Sequence, residues 1–403
     1  PLAPKKSPSP LAPKKKPLAP NFMLIGKLLL IIDGPAALSH TPALLSGLRS
    51  AGRFRTTVAA TPSAEMFLPL LALSALSGAP AKAYSELTED DLRQADVVLL
   101  APVSGHFLAE LASGDAWTRL TDNGRRRVLA AVARLEAENG AVIAPDGAQL
   151  LSEDNVVLAL GAMGAVTVAS PEACVEAVCT ALTPQDFAGQ TVLLTAGPTI
   201  EDADPARFVS NRSTGRMGAA LAKVAARRGA KVIFVHGPMS WPTPQAPTIR
   251  AIAVRSAEEM CNAVLAEVPQ ATVAILCAAV ADYTPVAYSH EKIKKEGTDA
   301  TFALLLKRTP DILATVGALE QKPFLVGFAA ETQNLTDNAA AKLRKKNCDM
   351  LCANDITEPG CGFAVPTNRL TILFADGRRE DLPLLAKEEV AARVLDIVKR
   401  EMG

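Results

Sequence analysis

One stretch concentrates residues that could hold an anion. Thr195-Ala-Gly-Pro-Thr199 follows the apolar run Val192-Leu-Leu, and a long polar loop carries Arg207, Asn211, Ser213 and Thr214 before Gly215-Arg-Met-Gly218 opens an alanine-rich amphipathic segment. The order reads strand, loop, helix. A helix start offers unpaired N–H groups and a partial positive charge, which favour phosphate or carboxylate. Gly197 and Gly215 permit a close backbone approach or a positive φ there. Neither a dinucleotide fingerprint nor a Walker sequence is present, so the local chemistry alone is equally that of a well-capped helix after a long loop.

Two further segments carry more polar detail than a core requires. Cys277-Ala-Ala-Val-Ala-Asp282-Tyr-Thr-Pro285 ends an apolar run, and Glu291-Lys-Ile-Lys-Lys295 follows it. Asp282 falls just past an expected strand end, where ligands of open α/β sheets bind. Lys292, Lys294 and Lys295 could neutralise phosphate charge, or form only a solvated basic loop with Asp282 as a helix cap. The other segment is Gly327-Phe-Ala-Ala-Glu-Thr332, followed by Ala341-Lys-Leu-Arg-Lys-Lys346 and Ala353-Asn-Asp-Ile356. Lys342 and Lys346 are four apart and share a helix face.

These segments need strand ends and helix starts to position them. The chain has 403 residues, is nearly half apolar and carries no formal net charge, so no global field points to nucleic acid or a membrane. Apolar stretches are too short to span a bilayer. Seven scattered cysteines without a paired spacing read as reduced, mostly buried thiols of a cytoplasmic protein. Residues 1–22 form a Pro/Lys-rich tail that lacks the apolar content to fold. A first domain over 23–187 alternates strands (Leu28–Ile32, Arg55–Ala60, Val97–Ala101, Ala141–Ala144) with helices (Ala43–Ser50, Arg125–Glu138). A second, over 188–403, repeats the pattern with strands at Val192, Lys231, Ile249, Val273, Phe324, Met350 and Leu370. Both read as doubly wound parallel sheets, flavodoxin-like first and Rossmann-like second.

Six motifs, in order, carry a resemblance: Thr195-Ala-Gly-Pro-Thr, Arg207-Phe-Val-Ser-Asn-Arg-Ser-Thr-Gly-Arg-Met-Gly, Ala278-Ala-Val-Ala-Asp-Tyr, Lys292-Ile-Lys-Lys, Gly327-Phe-Ala-Ala-Glu-Thr and Ala353-Asn-Asp-Ile. Residues 189–402 resemble the phosphopantothenate–cysteine ligases, the ligase half of the bacterial bifunctional coenzyme A biosynthesis proteins. The resemblance implies that CTP with Mg²⁺ activates phosphopantothenate as an acyl-cytidylate, and that cysteine then displaces CMP. It implies that Asn211 grips the intermediate, that Lys292 stabilises charge at the reacting phosphate or carbonyl, and that Arg207 contributes. Ala278, Asp282, Phe328, Lys342 and Lys346 would line the CTP site with Lys292, Thr309, Pro310, Asp311 and Ile312 nearby. Gly197 and Gly215 would let the backbone approach, and Asp282 is the candidate metal ligand. A homodimer through this domain is implied.

By position the first domain resembles the flavin-dependent phosphopantothenoylcysteine decarboxylases. Ala60-Thr-Pro-Ser-Ala-Glu-Met-Phe67 and Leu100-Ala-Pro-Val-Ser-Gly105 agree with it. The first loop, Asp33-Gly-Pro-Ala-Ala-Leu-Ser39, replaces a glycine–serine flavin loop. The expected histidine, Pro-x-Met-Asn motif and lid cysteine are missing, and His106 is the one local candidate base. The domain therefore reads as a degenerate decarboxylase homologue in which FMN is not expected. The rivals are a bifunctional enzyme with FMN in the first domain, and a nucleotide-binding flavodoxin-like scaffold.

Overall fold

A computed structural model of the chain describes residues 26–34, 37–51, 54–103, 107, 127–132, 141–142, 151–152, 166–167, 171–294 and 303–403. The tail at 1–22, His106 and Lys295 lie outside the described residues.

The first part builds strands β1 (Gly26–Ile32), β2 (Phe54–Ala60), β3 (Ala81–Ala83), β4 (Val97–Val103), β5 (Arg127–Val132), β6 (Ala141–Val142), β7 (Leu151–Ser152) and β8 (Val166–Thr167). Helices α1 (Ala37–Ala51), α2 (Pro62–Glu65), α3 (Leu70–Ser77) and α4 (Glu89–Gln94) are followed by α5 (Pro171–Leu182). Six strands pair in the order β3-β2-β1-β4-β5-β8, all parallel. Leu28–Ile32 are buried on both faces, as a covered parallel sheet requires. Leu44, Leu45, Leu48, Cys174 and Val178, from α1 and α5, pack on that sheet. Each fully buried aliphatic side chain contributes about 1.5–3 kcal/mol.

Two readings of this part are corrected. Residues 127–132, expected within a helix, form β5, registered beside β4 with Val97 opposite Arg127. The run Val128-Leu-Ala-Ala-Val132 is continuously apolar, a pattern that serves a central strand as well as a helix. The short β6 pairs antiparallel with β7 and stands apart from the parallel sheet. Helix α1 also starts earlier than expected and carries Pro42 inside it.

The second part builds β9 (Thr191–Ala196), β10 (Ile200–Asp204), β11 (Arg207–Ser210), β12 (Lys231–His236), β13 (Ile249–Ala253), β14 (Val273–Leu276), β15 (Tyr283–Pro285), β16 (Leu306–Arg308), β17 (Phe324–Glu331), β18 (Met350–Asp355), β19 (Thr367–Phe374) and β20 (Arg379–Ala386). Its helices are α6 (Arg216–Arg227), α7 (Ala257–Glu267), α8 (Ile312–Gly317), α9 (Leu335–Lys345) and α10 (Lys387–Met402). The sheet order is β13-β12-β9-β14-β17-β18-β19-β20. Helices α6 and α10 cover one face with Leu221, Val224, Val394 and Val398. Helices α7, α8 and α9 cover the other with Met260, Val264, Val316 and Leu343. The sheet is doubly wound, yet not wholly parallel: β19 and β20 run antiparallel at one edge. Two hairpin ladders, β10–β11 and β15–β16, lie outside the sheet.

Strand order reverses between β9 and β14, which pair with Val192 opposite Val273. That reversal opens a crevice at their carboxyl ends. Helix α6 begins at the same end and is rooted at the other. Arg227, buried, forms a two-pronged pair with Glu176 of α5 at 2.5 and 2.7 Å and reaches Glu388 of α10 at 3.0 Å. Arg228 likewise grips Asp186 and Asp396 and stacks over Phe187. No helix among the described residues is long and apolar enough to cross a membrane.

Candidate functional site

A cleft of about 640 Å³ opens where β9 and β14 part. Its centre is the segment after β14, Ala278–Asp282, which leaves the sheet and must satisfy its backbone elsewhere. Thr195 Oγ1 accepts from the Ala278 N–H at 3.1 Å, and Thr199 Oγ1 accepts from the Ala281 N–H at 3.0 Å. Thr309 Oγ1 donates to the Ala281 carbonyl at 2.5 Å. Asn211 Nδ2 donates to the Ala279 carbonyl at 2.9 Å. The Ala279 N–H reaches the Gly197 carbonyl at 2.9 Å. The first two segments singled out in sequence, together with Thr309, are therefore stitched into one wall.

Gly197 and Gly215 meet the conformational demand expected of them, with φ of 77° and 80°. Both also face Met239: an added Cβ would stand 2.8 Å from its Cγ at Gly197 and 2.2 Å from its Sδ at Gly215. Gly215 ends the loop and α6 starts at Arg216.

The opposite wall comes from β17, α8 and α9. Phe328, Thr309, Pro310, Asp311, Ile312, Lys342 and Lys346 all line the cleft, as do Ala278 and Asp282. Asp311 caps α8 by accepting from the Ala314 N–H. The wall's two lysines are already ion-paired, Lys342 with Glu331 at 2.7 Å and Lys346 with Asp311. Asp282 is exposed at the cleft. Among the described residues no group of three or more His, Cys, Asp or Glu side chains could hold a metal ion. Asp282 therefore offers one exposed carboxylate at the cleft.

Arg207 and Lys292 do not line the cleft. Instead they lie beside each other on the hairpin arm. The Arg207 guanidinium donates to the Ile293 carbonyl at 3.1 Å, while Asp204 accepts from the Ile293 N–H at 3.1 Å. Arg207 thus anchors the loop that carries the exposed Lys292.

The third end of the cleft escaped sequence reasoning. Lys387, the first residue of α10, is 4% exposed and donates to the Gly362 and Phe363 carbonyls at 2.9 and 3.2 Å. Burial, reinforced by Arg216, pushes its ammonium down to about 8. Arg216 stacks on Trp241 with 4.2 Å to the ring centroid. Asn368 is buried, and its Oδ1 has no partner. A lysine ahead of Glu388-Glu389 on an amphipathic pattern gives no chemical signal until the fold brings it to the cleft.

All seven cysteines are free thiols, and burial pushes Cys277, on the cleft floor, up to about 12. It is not a nucleophile at neutral pH.

The family model for the DNA/pantothenate metabolism flavoprotein C-terminal domain matches residues 187–402. The coenzyme A biosynthesis bifunctional protein CoaBC of Escherichia coli K12 is 37% identical over 393 residues, covering 92% of this chain and 96% of that protein. The chain belongs to the CoaBC family. The Bacillus subtilis 168 member is 35% identical, covering 91% of this chain and 95% of its own. A crystal structure of the C-terminal domain of a CoaBC protein is 39% identical, covers 54% of this chain and 98% of its own, and superposes with a TM-score of 0.46.

For a CoaBC protein the first sheet invites a flavin test. Its order also reverses beside β1, between β1 and β4. Asp33, which follows β1, occupies this point and is 5% exposed. Its N–H reaches the Pro102 carbonyl at 2.9 Å, and its carboxylate accepts from the hydroxyls of Thr61 and Ser63 at 2.5 and 2.7 Å. Among the described residues, the Thr61 and Ser63 hydroxyls at this point are thus engaged by the Asp33 side chain.

Proposed function

We propose that the chain is a phosphopantothenate–cysteine ligase that uses CTP. A phosphopantothenate carboxylate oxygen attacks the α-phosphorus, the bond to the β-phosphate breaks, and pyrophosphate leaves with the electron pair. The cysteine amine then attacks the acyl carbon, CMP departs, and the amine loses its proton as the amide forms. The observation that carries this reading is the convergence on one cleft of every nucleotide-wall residue expected from sequence except Lys292.

Such a reaction needs charge neutralisation and alignment more than a protein nucleophile. Asn211 has its amide N–H engaged on Ala279 and its carbonyl end left for the acyl intermediate. Lys292, held in place through Ile293, brings a mobile ammonium to the reacting phosphate. Asp282 would help to hold a Mg²⁺ ion, which would supply further neutralisation of phosphate charge. The nucleotide itself lies against Phe328, Thr309–Ile312, Lys342 and Lys346.

We further propose a ligase unit over 188–403, a first unit over 23–187 without FMN, and a homodimer. The arm exposes Phe208, Tyr283, Val286, Leu305 and Leu306, an apolar surface suited to a second copy. Sedimentation at two concentrations tests the dimer.

Pyrophosphate release decides the main reading. Purified chain should release it from CTP and phosphopantothenate without cysteine, and form the amide once cysteine is added. No release with CTP or ATP overturns the reading. A second reading, an enzyme that also decarboxylates with FMN, is favoured by the extent of the CoaBC match, which runs into the first domain. A yellow protein that evolves CO₂ from phosphopantothenoylcysteine would establish it; a colourless, inactive first domain would exclude it.

A further inference from the structure

The loop that carries Lys292 connects β15 to β16 and is held from one side. Among the described residues, every hydrogen bond that ties Ser289–Lys294 to another element ends on residues 203–207. The Ser289 N–H reaches the Ala203 carbonyl at 2.9 Å. The Ile293 N–H reaches Asp204 Oδ2 at 3.1 Å, and the Ile293 carbonyl accepts from the Arg207 guanidinium at 3.1 Å. Both peptide groups of Ile293 are thus held, one residue from Lys292.

Asp204 stands at the centre of this clamp, with its side chain fully buried. Its Oδ1 accepts from the N–H groups of Ala206 and Arg207 at 2.7 and 2.8 Å, which fixes the turn between β10 and β11. Its Oδ2, besides holding Ile293, faces the Arg207 guanidinium at 3.4 Å. The ladder slips here: Asp202 pairs with Phe208 and Asp204 with Arg207, so Ala203 is an extra residue. Such a bulge re-aims the side chain that follows it. The other end of β10 is rooted in the body of the sheet. Glu201 accepts from the Ala257 N–H at 2.9 Å, and Asp202 grips Arg255 at 2.6 and 2.7 Å. Burial pushes the Asp204 carboxyl up, but the N–H groups of Ala206, Ile293 and Arg207 outweigh it and hold the group below its ordinary 3.8. Its bonds at neutral pH are therefore charge-assisted.

We infer that Asp204 is the positioning residue for Lys292: it fixes the turn that presents Arg207 and, through Ile293, sets where the Lys292 ammonium stands during turnover. This rests on the ligase reading. It adds that a carboxylate outside the cleft lining limits the chemical step.

Asp204→Asn keeps an oxygen for Ala206 and Arg207 but turns an amide N–H towards the Ile293 N–H, so it breaks the tether and spares the turn. The kcat for pyrophosphate release should fall about tenfold, as loss of a charged hydrogen bond does, with the CTP KM within about twofold. In Lys292→Gln chain the same change should cost less than about twofold, because its route is already gone. An equal fall in both backgrounds overturns the proposal, as does unchanged kcat in a folded variant. Ile293→Pro deletes the tethered N–H from the loop side and decides the matter where Asp204→Asn does not fold. Full turnover in that variant also overturns the proposal. Trypsin supplies a reading that needs no turnover. Cleavage of the Lys292–Ile293 bond in the full chain should quicken about tenfold in Asp204→Asn, with the melting temperature unchanged. Faster cleavage in a chain that releases no pyrophosphate from CTP loses the ligase reading and keeps Asp204 as the holder of the loop. A chain that turns over CTP, with cleavage and kcat both indifferent to Asp204→Asn, loses the positioning role alone.

Discussion

Replacing Thr199 with valine probes how the cleft wall is hung. Thr199 is fully buried, and its hydroxyl is the acceptor for the Ala281 N–H at 3.0 Å. Valine keeps the shape but has no acceptor, so it is not a neutral swap. Leaving a buried N–H unpaired costs about 1–3 kcal/mol. The methyl that replaces the hydroxyl returns about 0.8 kcal/mol of burial. The net loss is then about 0.2–2 kcal/mol, a fall in melting temperature of up to about 8 °C for a unit of this size. The functional effect is more local. Ala281 lies between Ala278 and Asp282 and is the carbonyl partner of Thr309, so releasing its N–H loosens the segment that faces the ligand. The CTP KM should rise about tenfold, the equivalent of about 1.4 kcal/mol. Thr199→Ser keeps the hydroxyl and should recover most of both effects. A valine variant that melts and binds like the serine variant would show that the wall does not depend on this bond.

Other expectations follow from individual contacts. Asn211→Asp turns a donor to the Ala279 carbonyl into an acceptor, so product amide should fall about tenfold or more while pyrophosphate release continues, as read by paired assays of the two products. Lys292→Gln changes an exposed side chain, so it should cut turnover at least about a hundredfold with the melting temperature unchanged. Glu176→Gln removes the charge facing buried Arg227 and should lower stability by about 1–3 kcal/mol in urea denaturation. Burial pushes Glu176 up, but the hydrogen bond and charge of Arg227, with Lys223, outweigh it and hold the carboxyl below its ordinary 4.5. The pair's contribution is therefore complete above pH 4.5 and is lost as pH falls below it through the folded value, which Glu176→Gln should flatten.

Much of the site was legible because its elements are punctuated. Gly197, Pro198 and Gly215 mark where β9 ends and α6 begins, and in the structure Ser256 caps the helix Ala257–Glu267. The polar segment at Ala278 stands just past β14, and those at Gly327 and Ala353 form the carboxyl halves of β17 and β18, which an alternating pattern locates well. The strand at 127–132 was hidden because an alanine-rich run flanked by arginines fits helical periodicity. The antiparallel edge was hidden too, since β20 alternates half-buried and exposed residues with Pro383 inside. Arg207 shares a motif with Asn211, yet its bond to Ile293 puts it on the arm. Lys387 stands more than 40 residues from the lysines of the other wall, and the return of α10 to the cleft makes it a neighbour.

The paired lysines of the nucleotide wall have a consequence for selectivity by valence. An anion approaching Lys342 or Lys346 must displace Glu331 or Asp311, so little is gained when one charge replaces another of equal size. A polyvalent anion that arrives with its own counter-cation changes the exchange, because the freed carboxylates then face that cation. A monovalent anion would thereby gain little at this wall, although the wall carries two lysines.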